Sequence, residues 1–346
     1  MKIGVTLGHA GDTVADTVRY AVQAEEAGLP MLGMGDAPSL FREVYGLLMA
    51  SALATRTISL GPTVSNPVIR NPYVTASAVA TIDEASQGRA YLGFGTGNAS
   101  VRNLGLPKAK IAQLEEAVVA IREAFLASVD RDDATRGKTA QRSSPLEWPT
   151  RVVPIIVSAG TGPRSMKVAA DHADGVLLHT VCGDIELVER RVAQLREMRA
   201  NGPRAGEPFE IWTYTLAWIA DSIEECREVL GSIVTASLGI FDLSREVEGI
   251  SPEMRERLRA FQDEYSFSAH ASAEARVNVE LMEKFGVTDF MFGRVAVYGS
   301  ASDVAAQVRR LEAAGVDGIL VSGGIPNKQR LIESLGALQS AVGSPS

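Results

Sequence analysis

Apolar residues along this chain alternate between helical spacing and short continuous runs. Three amphipathic segments end on a glycine that can adopt the left-handed cap of a helix, and an apolar run follows each. They are AEEAGL at 24–29 before MLGMGD, MEKFGV at 282–287 before TDFMFG, and LEAAGV at 311–316 before DGILVSGG. A fourth segment, AADHADGVLLHT at 169–180, keeps the change from helix to strand but lacks the glycine cap between them. A helix followed by a buried strand, repeated in this way, predicts parallel strands with helices outside them.

The pattern predicts eight strands, near 2–7, 31–35, 58–64, 90–95, 153–158, 175–179, 210–219 and 317–322. Helices are predicted at 13–27, 43–55, 72–85, 107–127, 163–173, 184–200, 222–236, 273–285 and 302–314. Eight parallel strands separated by helices most simply close into an α/β fold of the (β/α)8 TIM barrel type, and an open doubly wound sheet is the alternative. Such a barrel usually takes about 250 residues. The chain has 346, so we expect one domain, 1–346, with insertions near 128–152 and 237–272.

Composition narrows the class of partner. The formal net charge of −8 argues against nucleic acid, because a phosphate backbone binds basic surfaces. No window reaches the roughly 18 apolar residues of a membrane helix, and MKIGVTLG begins as a strand rather than as a secretory leader. The two cysteines, Cys182 and Cys226, are too few for a disulfide framework. We therefore expect a cytoplasmic protein with no membrane partner.

In a (β/α)8 barrel the chemistry gathers at the carboxyl ends of the strands. Residues at those positions are Gly8, His9, Asp36, Thr63 to Asn66, Gly95 to Asn98, Ser158 to Gly162, His179, Thr180, Trp218 and Ser322 to Gly324. This set is rich in Gly, Ser, Thr and Asn. It offers neither a His-x-His pair nor a carboxylate cluster, and no lysine falls inside the predicted barrel. No metal is expected, and a Schiff-base mechanism is disfavoured.

Two glycine-rich turns stand out among these strand ends. In RAYLGFGTGNASVRNLGLP, at 89–107, an apolar run stops at three glycines in five residues and passes into helix-like sequence. In PIIVSAGTGPRS, at 154–165, a strand is followed by a turn, then by Pro163 at a first helical position and by Arg164. Free N–H groups at a helix start, with a guanidinium, form a phosphate pocket. The alternatives are a closed corner and an ordinary capped helix.

The residues resemble the bacterial luciferase-like oxidoreductases, which bind reduced flavin or deazaflavin. The resemblance covers about residues 1–126 and 153–323. It depends on GPTVSNPVIRNPYVTASAVATIDEASQGRAYLGFGTGNASVRNLGLPKA, on VPIIVSAGTGPRSMKVAADHADGVLL and on YGSASDVAAQVRRLEAAGVDGILV. It implies a (β/α)8 barrel with insertions, assembled as a homodimer or homotetramer, acting on a small-molecule substrate.

The resemblance also assigns cofactor contacts. It places a non-proline cis peptide at Thr63-Val64, behind the isoalloxazine ring. The residues that it implies around ring, ribityl chain and phosphate are Thr63, Val64, Asn66, Gly95, Thr96, Gly97, Asn98, Arg102, Ser158, Ala159, Gly160, Thr161, Gly162, Arg164 and Ser165. Many members carry Asp or Glu where this chain has Asn98, which can orient a partner by hydrogen bonds but cannot supply a proton.

Candidate catalytic residues are His9, Asp36, Asn98 and His179. Either histidine is a proton donor beside the cofactor or a hydrogen-bonded wall residue, since imidazole titrates near neutrality. Asp36 either bonds a ring nitrogen or the substrate, or caps a turn before Pro38.

Two mechanisms compete within the resemblance. In the first, FMNH2 from a separate flavin reductase reacts with O2, and the C4a-hydroperoxide oxygenates a small organic substrate. In the second, reduced F420 passes a hydride to a carbonyl, imine or alkene. The anionic tail of F420 needs a basic track, for which Arg70, Arg102 and Arg164 are the candidates. We favour the reduced-flavin monooxygenase, keep the F420-dependent oxidoreductase as the alternative, and note a non-catalytic flavin-binding barrel as a third possibility.

Overall fold

The computed structural model describes residues 1–9, 11–129, 146–160, 162–179, 182–241, 243–244, 247–266 and 276–343. Its strands are β1 Lys2–Leu7, β2 Met31–Met34, β3 Ser59–Pro62, β4 Leu92–Phe94, β5 Ile155–Ala159, β6 Gly175–His179, β7 Glu210–Ile219, β8 Ala296–Gly299 and β9 Gly318–Ser322. Its helices are α1 Val14–Glu26, α2 Val44–Ala54, α3 Pro72–Ala85, α4 Ala99–Arg102, α5 Ile111–Val129, α6 Pro163–His172, α7 Ile185–Ala200, α8 Ile223–Ala236, α9 Pro252–Glu264, α10 Val277–Lys284, α11 Thr288–Val295, α12 Ala301–Ala313 and α13 Lys328–Val342.

Eight of the strands form a parallel barrel, as the sequence predicts. Their order is β3-β2-β1-β9-β7-β6-β5-β4. Two isolated parallel bridges, Leu60 to Ala90 and Ser65 to Phe94, join β3 to β4 and bring the ends of the sheet together. The nitrogen of Gly95 donates to the carbonyl oxygen of Ser65 at 2.9 Å at the upper end of this seam. The barrel prediction is confirmed, and the open sheet is set aside.

A ninth strand departs from the prediction. β7 is ten residues long; its first half pairs with β6 and β9, and its second half pairs with β8 outside the barrel. The prediction that TDFMFG forms a buried strand after a glycine cap is wrong. Gly286 does take the left-handed conformation, with φ +63°, but TDFMFG begins α11, and the strand comes next, at Ala296–Gly299.

Local sequence signals fix the other boundaries. Gly28 and Gly315 adopt left-handed φ values of +77° and +88° after α1 and α12, as predicted for their caps. Thr13 and Ser300 close reciprocal capping boxes with the aspartates three residues later. The helix α13 was not among the predicted elements.

The apolar core has two parts. The larger lies between the sheet and its surrounding helices. The smaller fills the barrel itself and consists of Met31, Tyr91, Ile156, Leu177, Trp212 and Leu320, with Val64 and Tyr214 packed against it. This interior plug separates the two mouths of the barrel, as expected of a packed TIM barrel rather than a pore.

The structure describes part of each segment predicted as an insertion. Of 128–152, the structure describes the end of α5 and residues 146–152. Of 237–272, it describes a 3₁₀ turn at Ser237–Ile240 and α9. Across the described residues, no helix combines the length and apolarity needed to cross a membrane.

Candidate active site

A cavity of about 480 Å³, the upper cavity, opens at the carboxyl ends of the strands. Its polar lining comprises Thr6, His9, Thr63, Tyr214, Ser232, Ser322 and Lys328. Its apolar lining includes Phe41, Val229, Ile233, Ile325 and Pro326. The side chain of Tyr214 is hydrogen-bonded to Thr6 and Ser322. The combination of an apolar wall with a few convergent polar groups is typical of a small-molecule site.

His9 is the predicted catalytic residue that the structure places in this cavity. Its ring lies edge-on to Phe41, with ring centroids 5.6 Å apart. The Nδ1 atom is buried and has no hydrogen-bond partner within the described part of the chain. Burial, and secondly the charge of Lys328, lower the pKa of His9 from 6.5 to about 4. We therefore expect the imidazole to be neutral near pH 7, with Nδ1 as a buried polar atom that lacks a partner among the described residues.

An ion pair holds the loop around His9. Lys328 Nζ lies 3.1 Å from Oδ1 of Asp12, and the backbone nitrogen of His9 donates to Oδ2 of the same carboxylate at 3.2 Å. Both side chains of the pair are nearly buried. Asp12 therefore ties the segment after β1 to the start of α13.

His179 lies beside the cavity rather than in its lining. Its ring stacks on Tyr214 with centroids 5.0 Å apart and an interplanar angle of 26°. Burial lowers the pKa of His179 to about 4. The structure thus favours the wall role over the proton-donor role for this residue.

These two histidines make stability depend on pH. In the folded protein both have pKa values of about 4, below the 6.5 of an exposed imidazole. Between those values the unfolded chain binds protons that the folded chain does not, so the free energy of unfolding decreases as the pH falls below about 6.5. We expect each histidine to cost about 1 to 2 kcal/mol at pH 5 relative to pH 7.

Urea unfolding at pH 7, 6 and 5 measures this dependence. His9→Gln and His179→Gln should each reduce the slope of unfolding free energy against pH. Slopes equal to that of the unaltered protein would contradict the burial of the two rings.

The peptide bond between Thr63 and Val64 is cis, as the sequence resemblance predicts. Thr63 Oγ1 lies 3.0 Å from the hydroxyl of Tyr91, which also donates to the carbonyl oxygen of Leu32 at 3.0 Å. Thr63 lines the cavity, and Val64 packs on the interior plug of the barrel. The bond therefore lies at the base of the candidate site.

Asp36 is held away from the cavity. Its carboxylate accepts a hydrogen bond of 2.7 Å from Ser65 Oγ and pairs with Arg70, whose second nitrogen bonds Glu43 at 2.8 Å. Burial raises the pKa of Asp36, and Ser65 and Arg70 limit the rise. These contacts favour a structural role for Asp36. They also show that Arg70, proposed for a basic track, is already engaged by two carboxylates.

The turn after β4 packs closely on its neighbours. A Cβ atom on Gly95 would lie 3.1 Å from Cβ of Ser158 and 3.1 Å from Cγ2 of Val64. The predicted cofactor residues Gly95, Ser158 and Val64 are therefore in one place. Next to Gly95, the Thr96 carbonyl oxygen accepts from Ala109 N at 2.9 Å.

Three other predicted residues near this turn, Asn66, Gly97 and Asn98, make contacts within the loop. Asn66 is fully buried; its Oδ1 accepts from Val68 N and Ile69 N at 3.1 Å, and its Nδ2 donates to Ser100. A Cβ atom on Gly97 would lie 3.4 Å from Cγ of this Asn66. Asn98 is exposed and accepts from Arg102 at 3.3 Å. The structure does not place Asn98 in the cavity lining.

The turn after β5 leads from a strand into a helix start, as the sequence predicts. β5 ends at Ala159, and Gly162 is the N-cap of α6 with no side-chain cap. A Cβ atom on Gly160 would meet no atom of the described residues within 4 Å. Arg164 is exposed in the first turn, and Ser165 donates to the Gly162 carbonyl oxygen at 3.0 Å. Thr161, predicted for the same turn, lies outside the described residues.

Sequence reasoning missed several residues of the cavity, namely Thr6, Phe41, Tyr214 and Lys328. Thr6 and Tyr214 interrupt apolar strands with polar side chains, and this signal could have found them. Phe41 and Lys328 come from loop and helix-start positions that a rule based on strand ends does not reach.

Residues 1–318 match the family described as luciferase-like monooxygenase. The chain belongs to this family. Relatives with named activities bear on the two predicted mechanisms. The luciferase-like chain is 29% identical over 326 residues to the 5,10-methylenetetrahydromethanopterin reductase of Archaeoglobus fulgidus, covering 92% of each chain. It is 32% identical over 209 residues, 56% of this chain and 61% of the relative, to the F420-dependent glucose-6-phosphate dehydrogenase of Kribbella flavida.

A solved structure has the same fold. The coenzyme F420-dependent tetrahydromethanopterin reductase from Methanopyrus kandleri superposes with a TM-score of 0.75 over 97% of both chains, at 22% identity. The prediction of an oxidoreductase of the luciferase-like family is confirmed, and the non-catalytic barrel is set aside. The preference for a reduced-flavin monooxygenase with FMN is wrong, because the relatives that match along the sequence are reductases and dehydrogenases.

Proposed function

We propose that this luciferase-like protein is an F420-dependent oxidoreductase, which transfers a hydride between the deazaflavin and a carbon atom of a small organic substrate. The observation that supports it most is the likeness, over 92% of the chain, to a reductase whose solved counterpart is named coenzyme F420-dependent. The reaction class is inferred from the relatives. The position of the site is inferred from the geometry at the carboxyl ends of the strands.

The residues present fit this cofactor. Thr63 at the base of the cavity, with Val64 packed on the interior plug next to it, would offer a surface for a flat ring. The uncapped start of α6 offers backbone N–H groups to a phosphate. The guanidinium of Arg164 has no partner within the described part of the chain and is exposed beside that turn. Arg102 is also exposed, so Arg102 and Arg164 would serve the anionic tail, without Arg70. When bound, F420 supplies or accepts the hydride.

The chain's own residues then hold the substrate and keep the site dry. The walls formed by Phe41, Ile233 and Ile325 exclude water from the reacting carbon. His9 presents a neutral imidazole whose Nδ1 lacks a protein partner. We assign His9 as the hydrogen-bond donor to the substrate oxygen or nitrogen that gains negative charge when the neighbouring carbon accepts a hydride. A positioned N–H donor at such an atom is worth most in a water-poor site.

Arg164→Ala is expected to weaken F420 binding by about tenfold or more, because a charged hydrogen bond contributes about 1.5 to 3 kcal/mol. Titration of the cofactor's absorbance or fluorescence measures the effect. Lys167→Ala is the matched control, since it removes one positive charge from the same helix, where Lys167 pairs with Asp171 at 2.6 Å. Equal affinities of the Arg164 and Lys167 variants would remove Arg164 from the site.

The reaction class is tested by anaerobic turnover. We would follow the absorbance of reduced F420 with methylenetetrahydromethanopterin and with simple carbonyl compounds, and the reduction of oxidised F420 with glucose 6-phosphate and with secondary alcohols. Turnover with any of these, without oxygen, supports the proposal. Oxygen uptake with reduced FMN and no reaction of F420 in either direction would exclude it.

A further inference from the structure

A second cavity, of about 540 Å³, opens at the opposite end of the barrel. Its lining comes from the starts of the strands, including Met31, Ala90, Ile156 and Trp212. The interior plug separates it from the candidate active site. Its volume falls within the range of about 300 to 1,000 Å³ that is typical of ligand pockets. The proposed function does not use this cavity.

The floor of this lower cavity is apolar and formed mainly by rings. Tyr91 and Trp212, both nearly buried, belong to the interior plug and also line the cavity, with Ile156 and Pro154 beside them. The indole nitrogen of Trp212 donates to Oε2 of Glu210 at 2.8 Å, which fixes the ring at the edge of the floor. Such a floor accommodates an apolar group about the size of a ring.

The wall of the lower cavity carries more positive than negative charge. Its cations are Lys2, Arg89, Arg122, Arg151 and Arg204, and its carboxylates are Asp174, Glu207 and Glu210. Behind the wall, Asp83 binds Arg151 at 2.6 Å. Even when Asp83 is counted, one cation is in excess. The surplus contrasts with the net charge of −8 for the whole chain.

Arg89 accounts for that surplus. Its five hydrogen bonds go to uncharged acceptors, the carbonyl oxygens of Ala52, Thr55, Ile58 and Ser86 and the Thr55 hydroxyl. Within the described residues no carboxylate pairs with it. The N–H groups of Arg89 are occupied, and Glu25 acts on its charge without a direct contact, so the free hydrogen-bond donors of this wall come from other arginines.

Two other arginines retain free donors. Arg122 bonds Asp174 through Nη1 alone, at 3.0 Å, and its Nε and Nη2 have no protein partner in the described ranges. Arg151 bonds Asp83 through Nε and Nη2, and its Nη1 has no partner there either. Asp83 also anchors the segment that leads into β4, and Asp174 anchors the start of β5. Because β4 and β5 are neighbours, both arginines lie on the same side of the barrel.

We propose that the lower cavity is a second ligand site, for a small organic anion whose ring-sized apolar body lies on Tyr91 and Trp212 and whose acidic group binds Arg122 and Arg151. Guanidinium groups with free N–H donors bind carboxylate and phosphate oxygens through charge-assisted hydrogen bonds. The apolar body adds the burial that these bonds alone do not supply. The assignment is independent of the cofactor in the upper cavity.

Benzoate and phenyl phosphate are suitable probes, with benzyl alcohol as the uncharged analogue. We expect each acid to give a saturable change in tryptophan emission from the cofactor-free protein. The change should disappear in Trp212→Phe and persist in Trp218→Phe, because Trp218 does not line this cavity. Circular dichroism verifies that both variants fold.

Arg122→Gln is the decisive variant, since Asp174 keeps its bonds to Arg204 and to the nitrogen of Ile155. It should weaken binding of both acids by about tenfold. Arg257→Gln, which removes the same charge from α9 where Arg257 pairs with Glu253, should leave the affinity unchanged.

Three results would overturn the assignment. They are no saturable change with either acid, binding of benzyl alcohol as tight as that of benzoate, and equal weakening by the Arg122 and Arg257 substitutions. Any of them would leave the proposal for the upper cavity untouched, because the probes are followed without cofactor or turnover.

Discussion

Gly93→Ala is expected to destabilise the protein by about 3 kcal/mol or more. Gly93 lies in β4, and a Cβ atom there would be 2.3 Å from the carbonyl oxygen of Pro62 in β3. This contact is to backbone, and no side-chain rotation can relieve it. The nitrogen of Ser65 also donates to the Gly93 carbonyl oxygen at 3.0 Å. The substitution therefore forces apart the seam that closes the barrel.

The matched control is Gly160→Ala. Among the described residues, no atom lies within 4 Å of a Cβ atom on Gly160. The free energy of unfolding of this variant should therefore stay within about 0.5 kcal/mol of that of the unaltered protein. Urea unfolding followed by circular dichroism compares the two variants. Equal midpoints would mean that β3 and β4 do not approach as closely as the barrel requires.

His9→Leu is expected to lower kcat by about a hundredfold or more, the cost of removing one preorganised donor from a site where charge develops. Leucine retains apolar bulk beside Phe41 and removes both ring nitrogens. Because His9 is assigned to the substrate, F420 affinity should change by less than about twofold. Steady-state oxidation or reduction of F420, with the best substrate found, measures kcat, and a cofactor titration measures affinity.

His172→Leu serves as the control for His9. His172 pairs with Glu115 at 3.0 Å at the end of α6 and does not line the upper cavity, so its removal should leave kcat unchanged. His9→Asn retains an N–H donor and should recover part of the activity. If kcat of the His9→Leu variant equals that of the unaltered enzyme, His9 does not act on the substrate.

Much of the barrel was readable from the sequence, because helix caps and continuous apolar strands are local signals. TDFMFG shows the limit of such signals. A run of six mostly apolar residues fits a buried helix as well as a strand, and Met291 and Phe292 are in fact buried from a helix. The four residues of β8 were missed because the strand is short and, within the described residues, pairs only with the far end of β7.

The site was readable only where it follows from strand ends. That rule found His9 and the two glycine-rich turns, and the resemblance supplied the cis bond at Thr63-Val64. The strand-end rule also put Asp36 forward as a catalytic candidate, and the basic track expected for the F420 tail put Arg70 forward. Neither argument could detect that the two residues pair, since an ion pair between residues 34 positions apart leaves no mark in the sequence. Lys328 reaches the cavity from the start of α13, an element that the prediction did not contain.

The identity of the cofactor was the feature hardest to predict from the sequence. A turn with free N–H groups binds the phosphate of either cofactor, and the base of the cavity offers either tricyclic ring the same surface. No residue that we could place distinguished them. The proposal of F420 therefore depends on the relatives matched along the sequence.

The central claim is therefore tested most directly by parallel titrations of the purified protein with F420 and with FMN, in both redox states and without oxygen. The account predicts micromolar or tighter binding of F420, which needs about 8 kcal/mol, and at least about tenfold weaker binding of FMN. Tight binding of FMN with no measurable binding of F420 would contradict it.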